Sequence, residues 1–254
     1  MRIEVAGSTH VGMKRNHNED NYLVLPEERL FCVADGMGGH SSGEIASKIA
    51  VEELAEFFQM TSRDQDSTWP YKMDKSKNYD ENRLATGVKL ANVRIYERAA
   101  SDVRYRGMGT TIVTVHFTSS GACVAHVGDS RVYYLRNGVL KQLTEDHSLL
   151  NDYLKAKKLT PEEIDAFPHK NVIVRALGMK ETVQVDVLRV EPQPGDIFLL
   201  CSDGLSGMVT DAQMQETLNS TPDLEAACNR LIDLANAAGG NDNVTCILTR
   251  FNPG

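Results

Sequence analysis

The sequence predicts an α+β fold built on antiparallel sheets. Many short strand-like runs occur in pairs joined by hairpin chemistry, as at 131–135 and 139–143 around Asn137-Gly138. Two long helical periods sit early, and the helices interrupt the strands without βαβ regularity.

Strand patterns cover residues 3–10, 22–25 and 30–34, the last two flanking a turn at 26–29. A glycine-rich turn follows at 35–43. Ile45, Ile49, Leu54, Phe57 and Phe58 give a helix over 44–58, and Leu84, Val88, Ala91 and Ile95 a second over 84–101. Between them 61–82 is polar and aperiodic, a loop or partly helical excursion. Further strands are expected at 110–118, 122–127, 131–135, 139–143, 183–190, 197–201 and 243–251. Residues 145–157 and 223–237 read as helices, and Thr160 to Glu163 as a capping-box helix start. Neither an internal repeat nor a linker appears, so one domain spanning 1–254 is expected.

The 254 residues carry 27 basic and 35 acidic side chains, a net charge of −8. That balance disfavours nonspecific binding to nucleic acid or anionic membrane. No apolar run approaches the roughly 20 residues of a membrane span, and the first residues lack a signal-peptide core. Cys32, Cys123, Cys201, Cys228 and Cys246 form no CxxC pair and are odd in number. They read as buried, reduced thiols of a cytoplasmic protein, with a monomer as the default.

Acidic residues recur at strand ends beside glycine: Asp35-Gly36, Asp203-Gly204, and Asp242 after Gly239-Gly240. Glu19-Asp20 follows Arg15 on a polar turn, and Asp129 lies in Gly128-Asp129-Ser130-Arg131, which reads alone as a tight hairpin. Any one of these is as well explained by a solvated turn. Together they suggest carboxylates gathered around hard cations, because bare carboxylates repel and divalent ions relieve the cost. No His/Cys cluster is evident, which favours Mg²⁺ or Mn²⁺ over Zn²⁺. The glycine-rich 35–40 segment lacks the GK[ST] ending of a P-loop.

RNHNED (15–20), DGMGGHSSGE (35–44), GMGTT (107–111), VGDSR (127–131), LTEDHS (143–148), LTPEE (159–163), NVIVRALG (171–178), LLCSDGL (199–205) and GGNDNVT (239–245) follow in this order. This ordered set resembles the PPM/PP2C family of metal-dependent Ser/Thr protein phosphatases, in its compact bacterial form, over residues 8–251. The resemblance implies a central antiparallel β-sandwich with helices on both outer faces. It implies two Mn²⁺ or Mg²⁺ ions bridged by Asp35, with the Gly36 carbonyl and Asp203 on one or other ion and Asp242 on the second. Glu19 and Asp20 would hold metal-bound waters, Asp129 a third, weaker ion, and Arg15 the substrate phosphate. Residues 145–170 would form a flap. The implied reaction is direct attack by a hydroxide bridging the two ions, on phosphoserine or phosphothreonine made by a bacterial Ser/Thr kinase.

Many eukaryotic relatives carry a His directly after Asp-Gly, where this chain has Met37. His40 then either donates the leaving-group proton or orients its loop. His147 reads as a surface residue and His126 as structural, while His10 and His17 match no catalytic role. Two other functions stand beside the active phosphatase: a noncatalytic phosphopeptide-binding module, and a phosphatase confined to one regulatory target.

Overall fold

The computed structural model describes residues 1–38, 42–64, 68–157, 160, 163–164 and 172–252. The strands are β1 (Arg2–His10), β2 (Asp20–Leu25), β3 (Leu30–Met37), β4 (Gly109–Thr110), β5 (Ile112–Thr118), β6 (Gly121–Val127), β7 (Arg131–Arg136), β8 (Val139–Gln142), β9 (Asp186–Val190), β10 (Ile197–Cys201) and β11 (Val244–Asn252). The helices are α1 (Ser42–Arg63), α2 (Tyr79–Ser101), α3 (Leu149–Ala156), α4 (Asp203–Ser206), α5 (Asp211–Ser220) and α6 (Leu224–Ala237).

Two antiparallel sheets form, one ordered β1-β11-β10-β7-β8 and the other β2-β3-β5-β6-β9 with β4 beside β3. Strands such as β3 and β10 are apolar on both faces, so each feeds two cores by simple alternation. On β3, Phe31 and Val33 pack between the sheets while Leu30, Cys32 and Ala34 pack toward α1 and α2. On β10, Phe198 and Leu200 face the other sheet while Ile197, Leu199 and Cys201 meet α5 and α6. The result is the helix–sheet–sheet–helix sandwich that the resemblance implies. Phe117 centres the inner layer, edge-on to Phe31 at 6.0 Å and to Phe198 at 5.2 Å.

Several boundaries move. The first helix runs from Ser42 to Arg63 rather than 44–58. Its last turn is held by the buried Arg83, which donates to Phe58 O and Thr61 Oγ1. Ala46, Ala50 and Leu54 are fully buried, with Ile45 and Ile49 at the margin of that core. The second helix starts at Tyr79, fixed by a capping box of Asn78 and Glu81. Residues 145–148 are not helical, because they dock along Gly128 and bridge to Ile173; α3 begins only after Ser148. The expected 183–190 strand starts at Asp186. Helix α5 had no apolar signature strong enough to see, yet Thr210 and Gln213 form its capping box. Thr160 and Glu163 exchange the expected capping-box hydrogen bonds; Pro161 and Glu162 lie outside the described residues.

Two turn readings differ in outcome. Asn137 (φ 51°) and Gly138 (φ 77°) make the predicted tight hairpin between β7 and β8. Gly128 to Arg131 is not a hairpin: β6 belongs to one sheet and β7 to the other, so this turn crosses the sandwich. Phe117→Ala, removing a ring 1% exposed at the sandwich centre, is expected to cost about 3–5 kcal/mol of stability, read from the urea midpoint.

Candidate metal centre

One end of the sandwich gathers the acidic residues. The β2–β3 register sets Asp20 directly opposite Asp35. Asp35 is not at a strand's end as expected, because β3 continues through Met37. There its backbone is fixed by three hydrogen bonds: Asp35 N donates to Thr111 Oγ1, while Asp35 O accepts from Thr111 N and Thr110 Oγ1. Helix α1 then lies so close that a Cβ on Gly36 would come 2.1 Å from Gly43 O. From the other sheet, Asp203 opens α4 directly after β10, and Asp242 stands before β11. Gly204 packs against Asn243, where a Cβ would meet Asn243 O at 1.9 Å.

Asp35 and Asp203 are close enough for each carboxyl to influence the other. Burial pushes the Asp35 carboxyl well above the usual range, and repulsion from Asp20, Asp203, Asp129 and Asp242 adds to it. Asp20 rises to about 7, chiefly by burial, although hydrogen bonds from Thr245 and Ser202 oppose this. Asp129 also rises to about 7, through burial and then through Asp203 and Asp146. Asp203 is raised by burial and by Asp242. Glu19 is raised by burial, partly offset by the Gly43 backbone and Arg15.

Among the described residues, Asp20 Oδ1, Asp129 Oδ1 and Asp203 Oδ1 are buried without a hydrogen-bond partner. Orphaned carboxyl oxygens in a crowded acidic cluster are a donor set suited to hard divalent cations. Asp129, Asp203 and Asp242 also line a cleft of about 400 Å³ with Arg131, Asp146, Ser148 and Leu150. Arg15 is half exposed on the rim, its Nη2 2.8 Å from Asp242 Oδ2. It borders a second hollow with Lys14, His17, Glu19 and Gly38. His40 lies outside the described residues.

The sequence reading passed over three residues that build this site. Asn243 accepts from Glu19 N and donates to Val11 O and His17 O, tying the Arg15 loop to β11. Ser202 and Thr245 both donate to Asp20 Oδ2. Their signal was only proximity to Asp203 and Asp242 within LLCSDGL and GGNDNVT.

A second group, His126, His147 and Asp186, places ligand-type atoms within 4.8 Å of one another. His147 is not a surface residue: it is 5% exposed, stacked 4.7 Å from His126. Its Nδ1 accepts Gly128 N–H, so its proton sits on Nε2 beside Asp186 Oδ2 at 2.9 Å. A metal on Nε2 would require the imidazolate. Arg175 Nη1, 3.1 Å from His147 Nε2 and from Asp186 Oδ1, already supplies positive charge there. His126 is structural as expected, its Nε2 donating to Glu145 O.

A family model described as protein phosphatase 2C matches residues 6–249. A "Serine/threonine phosphatase stp" from Listeria innocua is 38% identical, covering 96% of this chain and 94% of its own. The crystal structure of the Mycobacterium tuberculosis serine/threonine phosphatase PstP/Ppp aligns with a TM-score of 0.86 at 33% identity, over 99% of both chains. The catalytic domain of the serine/threonine protein phosphatase PstP in complex with two manganese ions aligns with a TM-score of 0.80 at 32% identity, over 99% of both.

The raised carboxylates carry a pH consequence. Folded Asp20 and Asp129 hold protons up to about 7, whereas unfolded aspartates ionise near 3.8. Across that window the metal-free folded state binds more protons, so its stability is full at the acid end and is lost as pH rises toward about 7. A melting series on chelated protein should show this decline. Added Mn²⁺ should restore more stability at the upper end of the window than at the lower.

Proposed function

Because this chain belongs to the protein phosphatase 2C family, we propose that its carboxylate-lined cleft binds paired divalent cations and the phosphate of a phosphoserine or phosphothreonine protein. The chain is a protein-serine/threonine phosphatase of the metal-dependent kind. The observation that carries the site assignment is the convergence of Asp20, Asp35, Asp129, Asp203 and Asp242, three of them with a bare buried oxygen.

In this reading Asp35 and the Gly36 carbonyl would help to hold the paired Mn²⁺ or Mg²⁺ ions. Asp203 and Asp242 would join them, Glu19 and Asp20 would act through waters, and Asp129 would help to hold a third ion. When bound, such ions neutralise phosphate charge and acidify water for in-line attack. Arg15 supplies a guanidinium fork that matches phosphate oxygens. Its partner here is Asp242 Oδ2, a group that would also hold a cation, so Arg15 would be free to meet phosphate where Asp242 is engaged in that way. His40 is the candidate proton donor to the leaving hydroxyl. Covalent catalysis by cysteine is disfavoured, since burial pushes the Cys201 and Cys123 thiols up to about 12.

The whole chain, 1–254, is taken as one phosphatase domain, supported by the extent of the family match. Residues 145–170 are taken as the flap. Their described part borders the cleft through Asp146, Ser148 and Leu150, and Arg131 holds Asp146 at 2.7 Å. The five cysteines are free and no helix among the described residues is long and apolar enough to cross a membrane. These support a cytoplasmic setting. The substrates' phosphoryl groups imply an opposing Ser/Thr kinase.

Purified protein should release phosphate from a phosphothreonine peptide and from p-nitrophenyl phosphate only with Mn²⁺ or Mg²⁺. Peptide binding without turnover would mark a noncatalytic module instead. Asp35→Asn is expected to lower kcat by about 10²-fold or more, and Arg15→Ala to raise KM by roughly tenfold. Steady-state kinetics on both variants separates the two roles.

A further inference from the structure

Asp20 is tied down asymmetrically. Its Oδ2 accepts two hydroxyl hydrogen bonds, from Thr245 Oγ1 at 2.6 Å and Ser202 Oγ at 2.8 Å, while Oδ1 is buried and unpartnered. Both hydroxyls are fully buried and come from the opposite sheet. For an ionised Asp20, which can only accept, the donor directions are forced. Thr245 spends its proton on Asp20, so Thr9, 2.7 Å away, must donate to Thr245. Thr9 Oγ1 in turn accepts from Asn18 Nδ2 at 2.8 Å. On the second branch Ser202 Oγ accepts from Thr245 N at 3.1 Å and donates onward. Every proton in both branches therefore points toward Asp20 Oδ2, and chains so aligned polarise one another.

We propose that Thr245 and Ser202, backed by Thr9 and Asn18, are positioning residues that fill Asp20 Oδ2 and leave Oδ1 as the one oxygen available to the metal centre. A hydroxyl pair that only filled space would not need this single sense of donation. Two donors on one oxygen also fix the carboxylate's rotation, which a lone hydrogen bond would not. The anchor crosses between the sheets, so the metal centre's geometry is set by the relation of β2 to β10 and β11. The proposal rests on the reading of Asp20 as part of the metal centre.

The test is Mn²⁺ binding by titration calorimetry on the full chain, beside melting of the metal-free protein. Thr245→Val keeps the shape and removes the hydroxyl. It is expected to weaken Mn²⁺ binding about tenfold, while Thr245→Ser restores it. Thr9→Val lies on the exposed end of the relay and does not threaten folding; it is expected to weaken binding by roughly twofold to threefold. In an Asp20→Asn background, Thr245→Val should add no further loss of binding. Unchanged Mn²⁺ affinity in both Thr245→Val and Thr9→Val, with only the melting temperature lowered, would overturn the proposal. Additive losses in the Asp20→Asn background would overturn it as well. Wild-type protein that binds no Mn²⁺ would instead defeat the reading of the centre itself, so the two failures are distinguishable.

Discussion

Repulsion among buried carboxylates is the constraint on which this molecule is organised. Burial raises the carboxyls of Asp20, Asp35, Asp129 and Asp203, and repulsion adds to it: Asp20, Asp203 and Asp129 raise Asp35, and Asp203 raises both Asp20 and Asp129. No local segment would adopt this arrangement by itself. It persists because each acid is carried by backbone that three separate cores hold in place. The large buried apolar surface offsets a polar cluster that is unfavourable without counter-charge.

The two sheets divide the work. One contributes Asp20 and Asp35 as neighbours across a β ladder, the other Asp203 and Asp242 from the ends of β10 and β11. Their relative position is pinned at three points by polar contacts that cross between layers. Thr245 and Ser202 hold Asp20, Asn243 holds the Glu19 backbone, and Ser130 meets Thr111 at 2.7 Å, itself bonded to Asp35 N. Inner-layer packing sets the spacing, and these bonds set the rotation of individual groups. Small residues matter for the same reason: Gly36 and Gly204 let helix and strand backbones approach where a side chain would force them apart.

The second polar group is more nearly satisfied by contrast, with His126 Nδ1 buried and without a partner. His147 has a partner at each ring nitrogen, and Asp186 has Arg175 and His147. Burial lowers the pKa of both histidines, which favours the neutral ring. This polar framework anchors residues 145–148 against the Gly128 turn. At the acidic end the balance is reversed: donors are too few and bare oxygens remain.

How much of this was legible in the sequence follows from the range of each interaction. The long helices and the β7–β8 hairpin are written in local periodicity and in Asn137-Gly138, so they were readable from neighbours alone. The acids were readable as a set only through their ordered motifs, since each turn in isolation resembles a solvated one. What stayed hidden depends on partners far away in the chain. Whether the Gly128 turn closes a hairpin or crosses the sandwich is decided by which strands β6 and β7 join. The burial of His147 is decided by Gly128 and Asp186, and the extra turn of α1 by Arg83. Ser202 and Thr245 look like ordinary hydroxyls beside better-known acids, and only the meeting of β2 with β10 and β11 gives them an anion to serve. Hydroxyl chemistry is weak and generic in a linear string, and it becomes specific when every other acceptor has been taken out of reach.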